Sequence, residues 1–117
     1  MRDRGTWGEA LVAEYLRRRH YKILEHSFRC RFGEIDLIAE KQGMLCFVEV
    51  KLRSHTEYGL PREFVDRRKQ QRLRITAQSY LSQRELDCPA RFDVAEVYTN
   101  AAGDRAHTRI EYIENAF

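Results

Sequence analysis

The sequence predicts one α/β domain, with a mixed central β-sheet flanked by two main helices in the order α-β-β-β-α-β-β. Three observations support this fold class. The 117 residues fit a single hydrophobic core. Two segments have apolar residues at helical spacing, and five short apolar segments are bounded by turn-forming residues.

Each element is predicted from its local pattern. Helical spacing predicts a first helix over Thr6–Arg19, and Pro61, which suits a first turn, predicts a second helix from about Arg62 to about Gln83. The short connections predict that the first three strands are antiparallel. The second helix is long enough for a crossover, which predicts that the fourth strand is parallel to the third. The predicted strands are Tyr21–Phe28, Glu34–Glu40, Met44–Lys51, Arg91–Tyr98 and Thr108–Ile113.

The composition excludes some classes of protein. The longest uncharged apolar runs, such as Met44–Val48, are too short to span a bilayer, and no apolar segment follows the charged N-terminus as in a secretory signal peptide. The three cysteines are an odd number without the paired spacing of a zinc site or a disulfide framework. We therefore expect a cytoplasmic protein with no membrane association.

The positive charge is concentrated in the second predicted helix. The formal net charge is +3, yet residues 62–84 contain seven basic and two acidic side chains, so the rest of the chain is slightly acidic. Most of the basic residues are arginines, whose planar guanidinium groups match phosphate oxygens. This distribution suggests a surface that faces a polyanion, although a solvated helix face would have the same composition.

A predicted hairpin brings four charged residues together. If Gln42-Gly43 is a two-residue loop, Asp36 lies opposite Glu49, and Glu34 lies opposite Lys51. Because side chains alternate along strands, all four lie on one face. The other face is then predicted to be purely apolar, with Ile35, Leu37, Cys46, Val48 and Val50.

The opposition of Asp36 and Glu49 is unfavourable in a purely structural sheet, because like charges directly across two strands repel. A divalent cation between the two carboxylates would relieve the repulsion, since Mg²⁺ and Mn²⁺ prefer hard oxygen ligands. A solvated hairpin face with a diagonal ion pair is the alternative, and the spacing alone leaves both open.

Asp36 followed by Glu49-Val50-Lys51 resembles the PD-(D/E)xK nuclease superfamily, with Ile35 where that motif has proline. The chain also contains a wider set of motifs, which are Gly5-x-x-Gly8-Glu9, Tyr15-Leu16, Gly33-Glu34-Ile35-Asp36-Leu37-Ile38, Phe47-Val48-Glu49-Val50-Lys51, Lys69 with Arg72-Leu73, and Arg91-Phe92-Asp93-Val94. This set resembles the YraN-like family of small bacterial proteins, which is similar to restriction endonucleases and Holliday-junction resolvases. His20 stands where a helix-ending glycine is expected, and Ser27 where the family usually has asparagine.

The resemblance implies a restriction-endonuclease-like fold and Mg²⁺- or Mn²⁺-dependent hydrolysis of DNA phosphodiester bonds. Asp36, Glu49 and the backbone carbonyl of Val50 would hold the metal. Lys51 would orient the attacking water or offset charge on the phosphate, unless it only forms a salt bridge to Glu34 or Glu49. Glu34 would support the site rather than bind metal.

Glu9 has two interpretations of about equal weight. The resemblance implies that a glutamate on the first helix joins the metal site. The pattern Thr6-x-x-Glu9 is also a capping box, in which the glutamate bonds back to the Thr6 amide.

Lys69 interrupts the apolar stripe of the second helix, four residues after Val65 and four before Leu73. Its side chain either snorkels to solvent or points over the charged cluster toward a substrate phosphate. Arg67, Arg68 and Arg72 are interpreted as contacts to the nucleic-acid backbone. The resemblance suggests branched or single-stranded DNA as the partner and a homodimer as the assembly. A non-catalytic nucleic-acid-binding module and a protein-interaction subunit are the alternatives.

Overall fold

The computed structural model describes residues 4–54, 65–99 and 108–117, with side chains from Trp7 onward in the first helix. The predicted order of elements is confirmed, and most strands extend one to three residues beyond their predicted ends. The elements are α1 (Arg4–Arg18), β1 (Lys22–Cys30), β2 (Gly33–Lys41), β3 (Met44–Ser54), α2 (Arg67–Gln83), β4 (Ala90–Thr99) and β5 (Arg109–Ile113).

The five strands form one mixed sheet in the order β1-β2-β3-β4-β5. Strands β1, β2 and β3 are antiparallel, β3 and β4 are parallel from Leu45–Ala90 to Ser54–Thr99, and β5 is antiparallel to β4. The predicted parallel pairing across α2 is therefore confirmed. This α/β arrangement is consistent with a restriction-endonuclease-like fold. No helix in the described part of the chain is long and apolar enough to cross a bilayer.

The two helices cover opposite faces of the sheet. Ala95 packs in a cluster with Val12 and Leu16 of α1, whereas the preceding residue, Val94, packs in a cluster with Leu73 of α2. Successive side chains of a strand point to opposite faces, so these two clusters lie on the two sides of the sheet. Both faces of the central strands are therefore buried.

Helix α2 begins at Arg67, five residues later than predicted. Asp66 is its N-cap, with an extended backbone and a side chain that accepts a hydrogen bond from the Lys69 amide at 2.9 Å. An aspartate at this position satisfies an amide that has no partner within the helix. Pro61 and Arg62, on which the earlier start was based, lie outside the described residues.

Two turns adopt left-handed conformations that their sequences only partly indicate. Gln42 and Gly43 have φ of 53° and 80°, as a two-residue hairpin loop requires. His20 has φ of 70° after the end of α1, where the Tyr21 amide donates to the Leu16 carbonyl. His20 thus takes the helix-ending conformation for which glycine is the usual residue.

Candidate functional site

The predicted register of the β2–β3 hairpin is confirmed from Lys41–Met44 to Leu37–Val48, but the ladder ends there. The Val50 amide donates to Asp36 Oδ2 at 2.8 Å, so the Asp36 side chain takes the place of a backbone acceptor. Asp36–Glu49 and Glu34–Lys51 are therefore not ladder pairs, and that extension of the prediction is wrong. Regular pairing of β2 with β3 therefore stops where the acidic residues of the two strands lie.

Regular alternation is lost at Asp36. Ile35 packs in the α2-side cluster, whereas Leu37 packs in the α1-side cluster, although strict alternation would place them on one face. In β1, Ser27 lies between the residues that pair with Leu37 and Ile35, and its φ is 51°. The predicted purely apolar face is therefore wrong at Ile35. Asp36 therefore lies at the point in β2 where the alternation of side chains between the two faces of the sheet shifts by one residue.

Asp36 and Glu49 line the same cavity, and their carboxyl groups interact. Burial raises the pKa of Asp36 to about 8, together with a hydrogen bond to Glu49 and the Glu49 charge. The Glu9 charge adds to the effect, while the Val50 amide opposes it. Two adjacent carboxyl groups that cannot both ionise usually retain one proton between them. The structure thus brings together the two acidic residues that the hairpin spacing singled out.

Lys69 reaches this pair from α2. Its ammonium group contacts Glu49 Oε2, and the lysine side chain is 46% exposed, whereas that of Glu49 is only 7% exposed. Lys69 therefore points over the charged cluster, and its contact with a substrate phosphate stays a prediction. The carboxyl pair and Lys69 line a cavity of about 250 Å³, whose walls are Gly33, Glu34, Asp36, Glu49, Lys69, Arg72, Leu73 and Thr76.

Glu9 lies on the α1 side of Asp36. The Ser27 hydroxyl donates to Glu9 Oε1 at 2.9 Å, and the Glu9 charge acts on Asp36. Helix α1 begins at Arg4, so Thr6 lies inside the helix rather than at its N-cap. The capping-box interpretation of Glu9 is therefore wrong, because that motif needs Thr6 outside the first turn.

Only some of the other predicted site residues line the cavity. Glu34 lines the cavity and forms an exposed ion pair with Arg29 at 3.4 Å, so its partner is on β1. Lys51 follows Glu49 by two residues on β3 and therefore shares its face. Arg72 lines the cavity, and Arg67 and Arg68 are exposed in the first turn of α2.

A second buried carboxylate on this face was not predicted. Glu96 is the register partner of Lys51 across β3 and β4 and is fully buried. Arg53 Nε donates to Glu96 Oε2 at 2.6 Å, and the Tyr98 hydroxyl donates to Oε1 at 3.3 Å. The sequence signal for this buried carboxylate is a glutamate within the otherwise apolar run of β4. This ion pair continues the charged row of Glu49 and Lys51 along the sheet.

The donor set fits a hard divalent cation. The two carboxyl groups supply oxygen ligands, and a cation between them would replace the proton that the raised pKa leaves on Asp36. Across residues 4–54, 65–99 and 108–117, no three His, Cys, Asp or Glu side chains are grouped so that they could hold a metal ion. The candidate protein ligands are thus a pair, Asp36 and Glu49, while Glu9 acts on Asp36 through its charge.

Comparison with known proteins gives one consistent result. The profile described as "Uncharacterised protein family UPF0102" matches residues 8–97. A UPF0102 protein of Acetivibrio thermocellus is 46% identical, over 99% of this chain and 92% of its own length. UPF0102 proteins of Trichlorobacter lovleyi and Persephonella marina are 44% and 42% identical, each over 97% of this chain and over 88% and 92% of their own lengths.

Proposed function

We propose that this chain, which belongs to the uncharacterised protein family UPF0102, is a metal-dependent nuclease that hydrolyses DNA phosphodiester bonds. The observation that carries the proposal is the contact between the Asp36 and Glu49 carboxyl groups in a cavity that also contains cationic side chains. Such a pair is costly in a purely structural sheet and suits a site for a divalent cation.

Asp36, Glu49 and the Val50 carbonyl would hold Mg²⁺ or Mn²⁺, which when bound acidifies a water molecule and polarises the phosphate. Lys51 lies on the same face, two residues from Glu49, and orients that water or offsets charge on the phosphate oxygens. Glu34 supports the site through the field of its exposed carboxylate. A role of Glu9 as a further ligand stays a prediction.

The substrate in this proposal is DNA, bound along the first turns of α2. Arg67, Arg68 and Arg72 are exposed there, and Lys69 on the same turns contacts Glu49 of the carboxyl pair. Arginine contacts to phosphates give affinity without sequence preference. Branched or single-stranded DNA in the cytoplasm and action as a homodimer are part of the same proposal, on the basis of the resemblance to resolvases.

Purified protein is expected to cleave at least one of branched, flapped or single-stranded DNA when Mg²⁺ or Mn²⁺ is added. Asp36→Asn and Lys51→Ala are each expected to lower the cleavage rate at least about 100-fold, the scale of losing one group that stabilises the transition state. Labelled DNA resolved on a denaturing gel measures the rate.

Glu14→Gln, which removes an exposed carboxylate on α1, is the matched control and is expected to keep the wild-type rate. Absence of cleavage of every substrate by the wild-type protein, at several salt concentrations, contradicts the proposal. Cleavage that is equally fast in Asp36→Asn points instead to a contaminating nuclease.

A non-catalytic nucleic-acid-binding module is the second candidate, favoured by the exposed arginines of α2. If α2 binds DNA, Arg68→Ala with Arg72→Ala is expected to reduce the slope of log affinity against log salt by up to about 2. Arg17→Ala with Arg18→Ala, which removes two exposed charges from α1, is the control and is expected to leave the slope unchanged.

Binding in chelator with the full α2-dependent slope, and no cleavage with metal, would favour the binding module over the nuclease. Weak DNA association that does not depend on salt, together with a stable protein partner in pull-downs, would favour an interaction subunit.

A further inference from the structure

We propose that Lys69 and the divalent cation compete for Glu49, so that metal binding releases Lys69 to a phosphate of the substrate. The inference rests on the proposed metal-dependent function and assigns to Lys69 a role that changes with the state of the site. In the metal-free protein Lys69 is the counter-ion of Glu49, and in the metal-bound protein it is a substrate-binding residue.

The position of the Lys69 ammonium group puts it in competition with a metal ion. Lys69 contacts the same Glu49 carboxylate that would bind the metal, and Glu49 is almost completely buried. A divalent cation held by Asp36 and Glu49 would place two positive charges beside the ammonium group. Like charges on the same buried carboxylate repel each other, so the metal and Lys69 cannot both keep their full interaction with Glu49.

The Lys69 side chain can leave Glu49 without unfolding the helix. Its backbone amide is fixed by the Asp66 side chain at the start of α2, whereas its side chain is about half exposed. A lysine side chain is flexible and carries a compact charge with three donors, so it can exchange one anionic partner for another. The helix therefore holds the attachment point while the ammonium group moves.

The displaced ammonium group of Lys69 would need a new anionic partner. Lys69 and Arg72 line the same cavity as the carboxyl pair. A phosphodiester drawn to the metal would be the nearest anion to the displaced ammonium group. Because each event favours the other, metal and DNA should bind with positive coupling, and thermodynamic linkage requires the coupling to be reciprocal.

Isothermal titration calorimetry with Ca²⁺, used as a probe of the oxygen site, tests the exchange without measuring cleavage. Lys69→Met keeps the apolar stem and removes the charge. Without DNA, it is expected to bind Ca²⁺ roughly three- to ten-fold more tightly than the wild-type protein, because no internal cation must be displaced. With single-stranded DNA present, the wild-type affinity for Ca²⁺ is expected to rise more than that of Lys69→Met.

Arg72→Met is the matched control, because it removes a cation from the same cavity without a described contact to Glu49. It is expected to tighten Ca²⁺ binding less than Lys69→Met. Equal tightening in both variants would mean that only the general field matters, and it would overturn the exchange. Lys69→Gln is a second substitution that removes the charge. Thermal unfolding of each variant checks that a change in Ca²⁺ affinity does not come from misfolding.

Two further results separate the inference from the proposed function. Ca²⁺ binding by the wild-type protein, with equal or weaker binding by Lys69→Met and Lys69→Gln, overturns the exchange and leaves the nuclease proposal standing. No binding of Ca²⁺, Mg²⁺ or Mn²⁺ by the wild-type protein overturns both.

Discussion

Replacing Asp93 with alanine is expected to lower the free energy of unfolding by about 3–5 kcal/mol, the scale of removing one partner of a buried ion pair. Asp93 is fully buried on β4, and Arg91 Nε donates to both of its oxygens at 3.0 and 3.1 Å. Its oxygens also accept hydrogen bonds from the Tyr112 hydroxyl at 2.5 Å and the Asn115 amide at 2.9 Å. Alanine would leave all these donors without the acceptor that they share.

The cost is large because Asp93 joins three parts of the chain. Arg91 precedes it on β4, Tyr112 belongs to β5, and Asn115 lies in the C-terminal segment. Because the Tyr112 hydroxyl faces the Asp93 carboxylate directly, burial and the Asp93 charge raise the pKa of Tyr112. The arginine in particular would remain mostly buried without its main counter-ion, since its side chain is 19% exposed.

Urea unfolding followed by circular dichroism measures the loss. Glu114→Ala is the matched control, because its carboxylate is 3.4 Å from the same Arg91 but 61% exposed. Exposed ion pairs contribute little, so this variant is expected to lose no more than about 1 kcal/mol. An Asp93→Ala variant as stable as Glu114→Ala would show that the network does not hold β5 and the C-terminal segment to β4.

Most of the fold could be predicted from the sequence because its signals are local. Apolar periodicity, Gln42-Gly43 and the length of α2 are each contained in a short segment, and they determined the strands and the parallel crossover. The start of α2 was misplaced because Pro61 is a typical first-turn residue. Asp66, a typical N-cap residue, was the better signal and begins the helix at Arg67.

That Asp36 and Glu49 lie near each other was predictable for the same reason, because the tight turn sets the hairpin register as far as Leu37–Val48, the pair next to them, although the ladder ends there. The surroundings of the two carboxyl groups were not predictable. The change of alternation at Asp36 coincides with the left-handed backbone of Ser27 on the neighbouring strand β1, which is distant in the sequence. The cross-strand partners of Glu96 and Asp93, which are Arg53 and Tyr112, depend on the registers of β4 with β3 and β5, which no local pattern determines.

In metal-free buffer, Asp36→Asn is expected to be more stable than the wild-type protein by about 3–5 kcal/mol at pH 8, with a smaller difference near pH 4. The pKa of Asp36 is raised from 3.8 to about 8 in the folded protein. Between these values the folded chain keeps a proton that the unfolded chain releases. Stability is therefore fully present below about pH 4 and is lost as the pH rises toward 8.

Asparagine reproduces the protonated state of Asp36 at every pH. Its side-chain oxygen can still accept the hydrogen bond from the Val50 amide, and its amide group can donate to Glu49 as the carboxyl proton does. Denaturant unfolding in chelator from pH 4 to pH 8 measures the difference. Glu34→Gln, on the same strand and cavity but exposed, is the control and is expected to follow the wild-type curve.

Added Mg²⁺ should reverse the order of stability, because a ligand that binds only the folded state stabilises it. The wild-type protein is expected to gain stability with Mg²⁺ concentration at pH 8, and Asp36→Asn is expected to gain much less. Parallel curves for both proteins in chelator would mean that Asp36 is ionised beside Glu49 without cost. The two carboxyl groups would then be part of a structural network, and the strongest physical reason for a cation at this site would be lost.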